Sequence, residues 1–139
     1  MILNQEQTMN YFTRIGLNYD DYKCHKLDGQ LLSELCFAHN ISIPFENLDI
    51  LNHKMISLDG SILYDKIITK HRGGLCFELN GLSEIFLRSL GFGVKDLSSR
   101  FFRDAGNDIP MQRHRLLKVE AVDGTYIWDI GIGQRSPKY

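Results

Sequence analysis

The apolar residues of this 139-residue chain change period at Gly91. Before it they recur every three or four positions, as one face of a helix requires. After it strand-forming residues dominate and turn signals move in. Such a chain folds as α+β, with helices and strands segregated along the sequence rather than alternating. Residues 1–91 read as a helical domain and residues 92–139 as a sheet domain.

Within the first part, Gln5 to Ile15 carries Met9, Phe12 and Ile15 on one face, with Gly16 as the stop. Asp28 caps a second helix containing Leu31, Leu32, Leu35 and Phe37 and ended by Asn40. The stretch Ile41 to Leu48 contains Pro44, which pushes the residue before it out of the α region, so an extended crossing is expected there. Asp59 caps a third helix through Ile62, Leu63, Ile67 and Ile68, which runs into Lys70-His71-Arg72 and the pair Gly73-Gly74. A fourth follows, with Leu75, Leu79, Leu82, Phe86 and Leu90 as its core stripe and Gly91 as a left-handed stop. Val94 to Phe102 and His114 to Val122 then read as strands, joined by a polar connection over 103–113. Asp123-Gly124 before Thr125-Tyr126-Ile127-Trp128 signals a hairpin.

Composition excludes several classes. With 43% hydrophobic residues the chain is long enough for an ordinary core. Sixteen basic and seventeen acidic residues are mixed along it, for a formal net charge of −1, so no footprint for nucleic acid or an anionic membrane stands out. The N-terminus lacks a basic segment followed by an apolar run, and no stretch reaches the roughly 18 apolar residues of a membrane span. A cytoplasmic protein is expected. Cys24, Cys36 and Cys76 are odd in number and widely spaced, which disfavours a disulfide scaffold and fits a reducing compartment.

Cys76 opens the fourth helix behind two glycines, where unpaired N–H groups and the helix dipole favour a thiolate. A lone cysteine is more often an inert packed residue, so the chemistry needs a base and a group that orients it. Of the five histidines, His114 begins a strand and Asp129 closes the next. Cys76, His114 and Asp129 would supply nucleophile, proton acceptor and orienting anion. Hairpin arithmetic does not close this set. If Asp123-Gly124 is the loop, Asp129 faces Lys118 and lies roughly 13 Å from His114 along the strand. A bulge or a shifted register is required. Glu78 and Asn80 read as structural. Cys24, His25, Cys36 and His39 offer zinc-type ligands, but adjacent Cys-His does not match paired-ligand spacing and packing is the better reading; no metal is expected.

The run Arg72-Gly73-Gly74-Leu75-Cys76-Phe77-Glu78-Leu79-Asn80-Gly81 resembles the active-site signature of the arylamine N-acetyltransferases. Tyr11-Phe12-Thr13-Arg14-Ile15-Gly16-Leu17, Ile43-Pro44-Phe45-Glu46-Asn47-Leu48, His114-Arg115-Leu116-Leu117-Lys118-Val119 and Asp129-Ile130-Gly131-Ile132-Gly133 resemble that family in the same order. The resemblance implies a helical bundle followed by the start of an antiparallel β-barrel, with a cysteine-proteinase-like core. It implies that Cys76 accepts the acetyl group from acetyl-CoA, with His114 as base and Asp129 as orienter, and passes it to an arylamine or hydrazine without a metal. Backbone N–H groups around Cys76 would stabilise the oxyanion. Phe45 maps to a wall of the amine pocket, and Ile132 stands where the family usually has an aromatic residue. Relatives resemble a longer chain with a complete barrel and a third, lid-forming domain that helps bind CoA. The expectation is therefore a truncated form with impaired activity and self-association through an exposed barrel edge. Two alternatives stay open: a non-catalytic remnant or interaction module, and a related Cys-His-Asp thiol acyl hydrolase.

Overall fold

The computed structural model describes residues 1–102 and 108–132. Helices come first: α1 Gln5–Arg14, α2 Tyr19–Tyr22, α3 Gly29–Ser42, α4 Leu48–Leu51, α5 Gly60–Tyr64 and α6 Cys76–Leu90. Strands β1 Gly93–Ser99, β2 His114–Ala121 and β3 Gly124–Trp128 then form one antiparallel sheet in the order β1-β2-β3. The α+β segregation expected from the period change is present, and Gly91 closes α6 with φ 104°. No helix among the described residues is long and apolar enough to cross a membrane.

Local chemistry sets the helix boundaries. Asn4 caps α1 by accepting the Gln7 N–H at 2.8 Å, and Gln7 returns the bond to the Asn4 N–H. Asp28 caps α3 through the Leu31 N–H, and α3 continues to Ser42, two residues past Asn40. Asp59 caps α5 as expected, but the helix does not run on as α. It passes into a π-helical segment, Asp65–Thr69, which buries Ile67 and Ile68 and carries Lys66. On α1, Met9 is 42% exposed while Thr8, Tyr11, Phe12 and Ile15 are buried, so the stripe is rotated from the sequence reading. Phe37 of α3 is exposed as well.

One apolar cluster runs through helices and sheet. Tyr11 stacks on Phe86 with ring centroids 3.8 Å apart, and Leu79, Leu82 and Leu87 of α6 share the same core as Leu117, Val119, Trp128 and Ile130. Arg115 of β2 ties α6 to the sheet, reaching the Phe77 carbonyl at 3.2 Å, Glu84 at 2.7 Å and Asp96 at 2.8 Å.

The hairpin departs from the sequence reading in a way that matters for the site. Ala121 pairs with Gly124 and Leu117 with Trp128, so the loop is Val122-Asp123 and the register is two residues off the Asp-Gly expectation. Contacts with the start of α3 hold the turn there. The Val122 N–H donates to the Leu27 carbonyl at 2.9 Å, and the Asp123 carboxylate accepts the Gly29 N–H and the Tyr126 hydroxyl. With this register Asp129 falls two residues from His114 rather than four. Strand β1 ends at Ser99 and leaves Phe101 and Phe102 outside it. Residues 103–107 of the expected polar connection, and Gly133, lie outside the described residues.

Candidate active site

Cys76 is the first residue of α6, and the loop before it is fixed by its own shape. A Cβ at Gly73 would lie 1.9 Å from the Pro44 carbonyl oxygen, so only glycine lets the two segments meet. There the Glu46 N–H donates to the Gly74 carbonyl at 3.0 Å and the Gly74 N–H to the Pro44 carbonyl at 3.3 Å. This short parallel pairing delivers Phe45 to the side of Cys76. Buried Glu78 turns back to accept the Leu75 N–H at 3.0 Å and pairs with Lys66 at 2.6 Å. Lys66 also meets Asp49 at 2.7 Å, Asp49 meets Arg72 at 2.9 Å, and Arg72 meets Glu46 at 2.6 Å. Hydrogen bonds from Lys66 and Arg72 pull the Asp49 carboxyl down to about 2.

His114 opens β2 and is 2% exposed; Asp129 follows the last residue of β3 and is 6% exposed. Their Nε2 and Oδ2 atoms are 2.5 Å apart. The other carboxylate oxygen accepts the Gly131 N–H at 3.0 Å and the Asn80 amide at 3.2 Å. With Nε2 engaged by the carboxylate, which can only accept, the neutral imidazole carries its proton there and keeps its lone pair on Nδ1. A cavity of about 400 Å³ is lined by both Cys76 and His114, with Phe45, Phe77, Phe101 and Ile132 as apolar walls. Phe101 packs on the His114 ring at 4.8 Å between centroids. Gly131 backs Cys76 closely: a Cβ there would lie 2.6 Å from the Cys76 Cα.

The helix start does not make Cys76 an acid. Burial pushes its thiol up, and backbone hydrogen bonds offset this only in part. The sulfur lies 3.9 Å from the Arg113 carbonyl oxygen, a weak S–H acceptor contact. His25, His53 and His71 are exposed, while His39 is buried and, among the described residues, neither ring nitrogen has a hydrogen-bond partner. Cys24 is exposed and Cys36 half-buried. Among the described residues no group of three or more His, Cys, Asp or Glu side chains could hold a metal.

An N-acetyltransferase family model matches residues 28–139. The chain belongs to the arylamine N-acetyltransferase family. It is similar to the arylamine N-acetyltransferase / N-hydroxyarylamine O-acetyltransferase of Salmonella typhimurium, at 45% identity over 75% of this chain and 37% of that one. The solved structure of the Salmonella typhimurium arylamine N-acetyltransferase superposes with a TM-score of 0.86 at 38% identity, covering 98% of this chain and 47% of the other. The Mycobacterium marinum arylamine N-acetyltransferase solved in complex with CoA superposes with a TM-score of 0.80 at 32% identity, over 92% and 47%. The chain thus spans less than half the length of these family members.

Three residues stand out here that the sequence reading did not single out as part of an arylamine N-acetyltransferase site. Phe101 lay inside an expected strand, so it was not aimed at the cleft; Lys66 lay inside an expected α-helix, and it stands outside the cavity, supporting the start of α6 through its pair with Glu78. Asn80 was legible in one respect: it sits four residues after Cys76, on the same helical face.

Proposed function

We propose that this chain carries the reacting residues of an acetyl-CoA-dependent arylamine N-acetyltransferase, with Cys76 as nucleophile, His114 as base and Asp129 as orienting carboxylate. The carrying observation is the 2.5 Å His114–Asp129 contact at the wall of the cavity that Cys76 also lines. In the first half-reaction His114 takes the Cys76 proton as the sulfur attacks the acetyl thioester carbonyl. The tetrahedral oxyanion is stabilised by N–H groups at the start of α6, and collapse expels CoA, whose sulfur takes the proton back from the imidazolium. In the second, an arylamine or hydrazine attacks the acetyl-cysteine, gives its proton to His114 and leaves as the N-acetyl product, and Cys76 is released as the thiol. Covalent relay divides one encounter of two substrates into two easier ones and makes the kinetics ping-pong. Residues 1–91 contribute the nucleophile and residues 92–139 the base and the carboxylate. Phe45 and Ile132 wall the acceptor site. Three free cysteines support a cytoplasmic setting.

Intact-protein mass spectrometry after incubation with acetyl-CoA tests the reading. One acetyl mass is expected on the parent protein and none on Cys76→Ser; a folded parent without the adduct overturns it. Faster loss of the adduct to water than to an arylamine would favour a thiol hydrolase instead. The raised Cys76 thiol supports a second reading, a non-catalytic module. Alkylation of Cys76 no faster than a free cysteine at neutral pH would favour that one.

A further inference from the structure

The helix that presents Cys76 also grips the loop that carries Asp129. Asn80 lies four residues beyond Cys76 on that helix and is fully buried. One of its amide protons goes to the Arg115 carbonyl at 2.6 Å and the other to Asp129 Oδ1 at 3.2 Å. Its carbonyl oxygen accepts the Ile130 N–H at 3.3 Å. This pattern of two acceptors and one donor admits one orientation of the amide. The three partners are the residue after His114, Asp129 itself and the residue after Asp129. A buried asparagine needs only satisfied bonds to be stable. Here every bond goes to the two chain segments that bear the base and its orienter.

We propose that Asn80 is a positioning residue for the reaction: it locks the Asp129 carboxylate toward His114 and sets both at a fixed separation from Cys76. The inference rests on the reading of Cys76, His114 and Asp129 as the reacting set. With the Asn80 and Gly131 donors on Oδ1, the carboxylate is held against rotation and Oδ2 stays on Nε2. Without Asn80 the carboxylate turns, its bond to Nε2 loosens and the imidazolium loses stabilisation.

The test follows the His114 ring by NMR in the parent, Asn80→Ala and Asn80→Ser, and the rate of Cys76 alkylation by iodoacetamide against pH. In Asn80→Ala the His114 midpoint is expected to fall by about half a pH unit or more. Its Hε2 signal is lost to exchange, and alkylation at neutral pH slows about tenfold. Asn80→Ser, which keeps a hydroxyl, recovers part of each effect. In the parent, the Asn80 side-chain amide signals move with the His114 midpoint. A His114 midpoint and an alkylation profile that superpose on the parent's, with only the melting temperature lowered, overturn the proposal. Should Asn80→Ala not fold, parent amide signals that ignore the His114 titration overturn it equally. None of these readouts uses acetyl-CoA. A missing acetyl adduct alongside the His114 shift sinks the transferase reading alone, and an adduct without the shift sinks this one alone.

Discussion

At Cys76 two effects of opposite sign meet, and their sizes decide the chemistry. A helix N-terminus favours an anion by about 0.3–1 kcal/mol, whereas taking a charge out of water costs several. Burial wins, so the thiol is held above its ordinary range, and in the proposed reaction His114 must draw the proton away. His114→Ala is expected to move the midpoint of Cys76 alkylation upward from the parent's, read as rate against pH; an unmoved midpoint would mean the base lies elsewhere. Cys76, His114 and Asp129 each stand at the boundary of a patterned element, but it was the ordered resemblance to the family that grouped them, since the hairpin arithmetic alone left Asp129 too far from His114. The sign of the thiol shift was not legible in the chain, because it depends on which chain segments close over the sulfur. Ile132 makes a further residue-scale case. It lines the cavity as an aliphatic wall, and Ile132→Phe adds a stacking face worth about 0.5–1.5 kcal/mol to a flat ring. If the chain transfers acetyl groups, this variant should raise arylamine over hydrazine preference by roughly twofold to tenfold in kcat/KM.

Among the elements, the loop before α6 is held by charges arranged as a chain from Glu46 through Arg72, Asp49 and Lys66 to Glu78. Glu78 is nearly inaccessible, and Lys66 is its ion-pair partner, so removing Lys66 strands a buried carboxylate. Lys66→Met is expected to destabilise the fold by about 3 kcal/mol, seen as a lower urea midpoint with unchanged slope. Lys70→Met breaks an exposed pair with Asp65 and should cost less than about 1 kcal/mol. Equal losses would show that the charge chain carries no special weight. Two helix starts were readable from caps: Asp28 and Asp59 stand where the side chain meets the first free N–H groups, while the Asn4 cap of α1 is a finding of the structure. The hairpin register was not readable. Asp123-Gly124 is a strong local turn signal, but the Asp123 carboxylate is drawn to Gly29 on α3, a contact 94 residues away in sequence. That tertiary bond moves the turn by one position at its apex, the register by two, and Asp129 into reach of His114.

At the scale of the whole molecule, segregation of helices and strands follows from the change of apolar period, while the joining of both into one core does not. That joining depends on residues such as Phe86 and Leu117, which any one-element pattern assigns only to a face. Among the described residues β3 pairs on one side only, and Ile127 on it is 63% exposed. Edge pairing between copies is expected to show as concentration-dependent sedimentation that Ile127→Lys reduces. His39 is expected to make the fold sensitive to acid. Burial first, and then the nearby Arg14 charge, lower its imidazole from the usual 6.5 to about 3, against a smaller opposing backbone contribution. Between those two values the unfolded chain binds a proton that the folded chain refuses. The contribution is therefore complete above about pH 6.5 and declines as pH falls toward 3, by about 1.4 kcal/mol per unit and at most roughly 4–5 kcal/mol in all. Asp49 acts with the same sign but only between its ordinary carboxyl range and about 2, below the interval from pH 6.5 to 4 in which His39 acts. Urea unfolding at pH 7 and pH 5 should thus differ by about 2 kcal/mol in the parent. His39→Leu, which fills a similar volume without a proton site, should flatten that difference; a slope that survives the substitution would place the acid sensitivity in other groups.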